Sequence, residues 1–233
     1  MAGWFRRRRD LPASPARVNE PIAARLALAE LTPPATEYLG LAAYLELTLF
    51  EDAGRAIALA PTTAAKSALS AVAQPHLLAH EGMVAELRRR GRDPVGAMEP
   101  HRRDLDEYRR RVEGQDWFEA IVTCYLTAGF LTDFFRGLAA GLPPELRTRM
   151  EMLLDIRESQ RVLTELLLAA IDGNPRLAAR LAMWGRRLVG DTMLVARGAL
   201  GVGIVAGQER IEPVFTELIA AHTRRMAALG LTA

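Results

Sequence analysis

The chain has 233 residues, of which 50% are hydrophobic but only 6% aromatic, and its formal net charge is +2. That length allows one large domain with appendages, and a composition dominated by Ala and Leu favours helices over a sheet, which would draw on Val, Ile, Thr and aromatics. Near-neutral charge excludes a globally basic nucleic-acid surface, and a single cysteine excludes an internal disulfide framework.

Residues 1–34 carry Arg6–Arg9 and the prolines Pro12, Pro15, Pro21, Pro33 and Pro34. They read as a flexible basic arm with room for a short helix at 21–31. The arginine run suits either a solubilising tail or contact with nucleic acid or acidic partners. No apolar run follows the N-terminal charges, so a signal peptide is not expected. The longest apolar run, Ala199–Ala206, falls far short of the ~20 residues that span a bilayer. The expected location is therefore a reducing cytoplasm.

The spacing predicts a first helix over about 36–59, stopped by Pro61, which pushes its predecessor out of the helical region. A second is predicted over 62–90, capped by Thr62 or Thr63 and ended by Gly91. A polar crossover over 91–115 follows, with a short helix at 101–112. A third helix starts at Asp116, with Glu119 forming a capping box, and reaches about Ala140. A fourth, with Pro144 in its first turn, is read as continuous to Ile171. A fifth covers about 176–199, and after a glycine-rich break an amphipathic helix spans about 209–228. Residues 201–206 fit a G-x-G-x-x-A spacing, but the residues before them read as helix and not strand, so a nucleotide-binding loop is not expected.

The stretch from Tyr44 to Asp52 is echoed from Tyr125 to Asp133, a shift of 81 residues. The same shift sets Glu46 against Thr127 and His80 against Arg161. Two helical hairpins joined by a long crossover is the topology of an all-α, ferritin-like four-helix bundle. We expect that bundle over 35–200, with 201–233 as an additional C-terminal unit.

Glu46 is surrounded at i±3 and i±4 by Ala42, Ala43, Leu49 and Phe50. A carboxylate on such a face finds a partner from another helix, protonates, or binds a metal. His80, flanked by His76, Leu77, Met83 and Val84, is either a hydrogen-bonded core residue or a ligand. Asp133 and Tyr125 are the polar candidates of the third helix, and Glu158, three residues before Arg161 in the fourth, reads most simply as an intrahelical ion pair with it. If a metal is held, the candidate ligands are Glu46, His80, Asp133 and Glu158, and carboxylate with imidazole suits iron or manganese. Glu81 is a spare carboxylate. Glu51–Arg55 and Glu86–Arg90 have the spacing of surface helix pairs. Cys124, among Ala120, Ile121, Thr127 and Ala128, reads as a small buried hydrophobe.

The stretches YLELTLFEDAGRAIALAPTTAAK, DWFEAIVTCYLTAGFLTDFFR and AIDGNPRLAARLAMWGRRLVGDT resemble the actinobacterial ferritin-like proteins grouped with the MiaE-like tRNA hydroxylases. The resemblance implies a ferritin-like bundle and, for the hydroxylases proper, a di-iron oxygenase acting on 2-methylthio-isopentenyl-adenosine of tRNA. Against that pattern, Leu77-x-x-His80 lacks a glutamate and Glu158-x-x-Arg161 lacks a histidine, so the implied centre looks degenerate. Two functions follow: an iron-dependent hydroxylase using a reduced ligand set, or a metal-free helical module that binds a partner or forms a homodimer through Met183 and Trp184 beside Arg186-Arg187.

Overall fold

The computed structural model describes residues 28–200 and 208–232; Arg6–Arg9, residues 21–27 of the helix expected at 21–31 and the G-x-G-x-x-A stretch lie outside them, and residues 28–30 are helical. The described residues form eight helices and no strand. They are α1 (Ala35–Leu59), α2 (Thr63–Arg89), α3 (Pro94–Arg111), α4 (Trp117–Ala139), α5 (Pro144–Leu153), α6 (Arg157–Ile171), α7 (Pro175–Ala199) and α8 (Gln208–Ala228).

Local chemistry sets the boundaries. Thr62 caps α2 by accepting from the Ala65 N–H, and Asp93 caps α3 through the Gly96 N–H. Asp116 accepts from the Glu119 N–H while the Glu119 carboxylate accepts from the Gln115 N–H, one residue before the cap. This is a capping box displaced by one position. Gly91 ends α2 at a φ of 66°, which suits glycine best.

Two expectations are corrected. The crossover is not largely loop: α3 runs from Pro94 and carries Pro100 inside it, giving up one helical hydrogen bond there. The fourth helix is not continuous. It breaks at residues 154–156, where the Asp155 carboxylate accepts from the Arg157 N–H and so holds the chain in a local turn. Leu154 and Ile156 turn inward at this break and are buried.

α1, α2, α6 and α4 form the four-helix core, each packed on the next around the ring. α1 lies against α4 with Tyr38 donating to the Phe135 carbonyl, so these two helices run antiparallel from that point. α3, α7 and α8 form a second layer on the α1–α4 side. α4 is therefore covered on every side, and 18 of its 23 residues are buried. It is long and apolar enough to cross a membrane, but 89% of its most apolar window is buried inside the bundle, where packing explains the composition. The end of the expected N-terminal arm also joins the bundle: Leu28 is buried against Gly137, and Thr32 donates to the Leu138 carbonyl.

Candidate functional site

Glu46 faces the interior from α1 and is 2% exposed; His76 faces it from α2 and is 3% exposed. Nδ1 of His76 and Oε2 of Glu46 share a hydrogen bond of 2.7 Å. The residue expected to meet Glu46 was His80. Instead, Nδ1 of His80, one turn further along α2, donates to the Ala43 carbonyl at 2.8 Å. The two histidines thus fasten α2 to α1 at successive turns. His76 was read only as a neighbour of His80; its place four residues earlier on the same helix face was the available signal.

The opposite half of the core carries different chemistry. Counting eight residues inward from Tyr38 and from Phe135 brings Glu46 level with Thr127. Thr127 is buried, and its hydroxyl donates to the Thr123 carbonyl of its own helix at 2.8 Å. On α6, Ser159 is buried with its hydroxyl 3.5 Å from the Val72 carbonyl, and the Gln160 amide donates to the Tyr125 carbonyl at 3.0 Å. These are neutral groups, already engaged with backbone.

The remaining ligand candidates lie elsewhere. Glu158 does not face the interior: its side chain is 67% exposed and pairs with Arg161, which also binds Glu165. Asp133 is held at 2.7 Å by Arg225 of α8. Glu81 is exposed. Among the described residues, no three His, Cys, Asp or Glu side chains gather in a metal-holding arrangement. A two-metal centre needs anionic oxygens from both halves of a bundle to offset the cations. Here one half supplies a carboxylate and two imidazoles and the other supplies hydroxyls and an amide, so the residues do not fit such a centre.

A second polar layer joins the core to the outer helices. Arg109 of α3 binds Asp52 at 3.1 Å and Glu51 at 3.0 Å, and Arg55 pairs with Glu113 at 2.7 Å, so the expected Glu51–Arg55 pair does not form. Asp52 and Asp133, equivalent in the internal repeat, are each held by an arginine from an outer helix. Burial pushes the Asp52 carboxyl up to about 6 despite the opposing Arg109, and its Oδ2 has no partner among the described residues. Tyr108 and Thr192 share a hydroxyl–hydroxyl contact of 3.1 Å, and the Trp184 indole donates to Thr123 at 2.9 Å. Glu86 does pair with Arg90 but is buried, with Arg89 and Arg149 also bound to it. Burial alone would raise its pKa, but the hydrogen bonds from Arg89 and Arg90 outweigh that and hold it below the usual carboxylate range. Burial pushes the Cys124 thiol upward, so it is not a reactive thiolate.

Between α1, α3 and α7 lies a half-open cleft of about 210 Å³, with Leu41, Leu105 and Val195 inside and His101, Asp104 and Asp191 toward its mouth. Burial lowers the His101 pKa, against the pull of Glu37 and Asp104.

Residues 33–200 match the family model described as a ferritin-like domain of actinomycetes. No curated protein matches the sequence.

Proposed function

The chain belongs to the actinomycete ferritin-like domain family, and on that premise we propose that it is a metal-free member working as a helical interaction module. One observation carries this reading. The interior position where a ferritin-like bundle can hold metal has a carboxylate and an imidazole that satisfy each other, Glu46 and His76, set against neutral side chains on α4 and α6. A buried hydrogen-bonded pair fixes the register of two helices, and removing either partner leaves the other stranded.

The reading is tested by the metal content of protein produced with excess iron and manganese. Less than about one metal per ten chains supports it; near one or two metals per chain, lost together with fold in Glu46→Ala, sinks it. A second reading is an oxygenase using a reduced set. Glu46, His76 and His80 lie within neighbouring turns of α1 and α2, and three stretches resemble the MiaE-like hydroxylases. The same metal measurement separates the two, because the second reading requires bound iron.

A further inference from the structure

α7 presents one face to α4 and the opposite face to solvent along its whole length. Met183 and Leu194 are exposed large hydrophobics, 66% and 54% accessible. Eleven residues, about three turns, separate them, so they share one side of the helix. Arg176, Arg186, Arg187 and Arg197 are exposed on that same side. Helical spacing places the helix's one acidic residue, Asp191, off this stripe, toward the α3 cleft.

Three of these arginines are held without being neutralised. Arg186 donates to the Thr232 carbonyl, Arg187 lies 5.1 Å over the Trp184 ring, and Arg197 lies 5.1 Å over the Phe215 ring. Arg176 has no ion pair among the described residues. Arg180 differs: Asp116 and Glu119 bind it. Carbonyls and rings orient a guanidinium while leaving its charge intact, so the stripe combines ordered positive charge with two protruding apolar side chains.

Resting on the interaction-module reading, we propose that the outer face of α7 docks an acidic amphipathic helix of a partner protein. Charge complementarity identifies the acidic character, because among the described residues the stripe has four arginines without an ion pair and no carboxylate. Met183 and Leu194 on its midline require apolar side chains on the partner at matching turns. A nucleic-acid backbone would need cations there instead, and the two rings beside the stripe, Trp184 and Phe215, are already covered by Arg187 and Arg197. Two isolated apolar residues are too few to insert in a lipid surface.

The test uses the full chain and a fluorescent helical peptide of about six turns, with Leu on one face flanked by Glu. Controls are its scrambled form, a single-stranded RNA, phosphatidylglycerol vesicles, and self-association measured by ultracentrifugation. The variants are Met183→Ser with Leu194→Ser, and Arg176→Glu with Arg186→Glu; all four sites are exposed, and thermal unfolding verifies that both variants remain folded. The proposal expects the peptide to bind at physiological salt, with the scramble and both variants weaker by about tenfold or more. It is overturned if peptide and scramble bind alike or if neither binds. It is also overturned if RNA or vesicles bind more tightly than the peptide and ignore the Met183 and Leu194 changes, or if the face is occupied by a second copy. None of these results alters the metal content, so failure here is distinguishable from failure of the metal-free reading.

Discussion

His76 of α2 and Glu46 of α1 are 2.7 Å apart in a region sealed from solvent. Replacing either residue by Ala leaves the other polar group buried and unpaired, at a cost of about 3–5 kcal/mol. Replacing both by Leu removes the problem along with the bond, so the double variant should lose less than the sum of the single losses. Urea unfolding of the wild type, the two single Ala variants and the double Leu variant measures this. Additive losses would mean that the two side chains act independently.

Asp52 makes the fold pH-dependent in a specific direction. Its carboxyl titrates near 6 in the folded chain against an ordinary value of 3.8, with burial as the largest cause. Between about pH 4 and pH 6 the folded state therefore holds this proton more tightly than the unfolded state. Stability contributed by the protonated form is lost as pH rises through that window, on the order of 2 kcal/mol. Asp52→Asn should be relatively more stable than wild type at pH 7.5 than at pH 4.5, by about that amount. Unfolding free energies of both proteins at the two pH values test the difference. An unchanged pH dependence would remove Asp52 as its source.

Two glycines of α1 should respond oppositely to Ala. A Cβ at Gly40 would lie 2.2 Å from the Ala97 carbonyl oxygen, where α3 crosses α1 backbone to backbone. A Cβ at Gly54 would meet nothing within 4 Å. Gly40→Ala should destabilise by about 1–3 kcal/mol or more, because backbone must move. Gly54→Ala should stabilise by about 0.5–1 kcal/mol, because Ala is the better helix residue. Thermal unfolding should show melting temperatures displaced in opposite directions.

Much of the architecture was legible in the sequence, because it is written in local signals. Pro61, Thr62, Gly91, Asp116 and Pro144 stop, cap or start helices through their own backbones, and the observed ends fall within a residue or two of the expected ones. Errors arose where one local signal competed with another. The crossover, read as polar loop with a short helix at 101–112, is helical from Pro94 with Pro100 inside it, and Asp155 captures a backbone N–H in the middle of an apolar pattern. The site was less legible because it depends on which face of α2 meets α1. Periodicity showed that Glu46 is buried, but His76 and His80 lie one turn apart on the same face, and only the packing of the two helices decides which of them it meets. Glu158 and Asp133 mark the two sides of that limit. The i, i+3 spacing of Glu158 and Arg161 already pointed to the ion pair they form, whereas the partner of Asp133, Arg225, comes from a distant helix that local spacing does not reveal.

The central claim is that Glu46 and His76 satisfy each other and do not serve a metal. Thermal unfolding of the purified chain, with and without excess ferrous iron under anaerobic conditions and after exhaustive chelation, tests it most directly. A ligand that binds the folded state at 100 times its dissociation constant stabilises by about 2.7 kcal/mol, a shift of several degrees. The account predicts the same melting temperature in all three conditions. A rise of several degrees with iron that Glu46→Gln abolishes, or a fall after chelation that iron reverses, would contradict it.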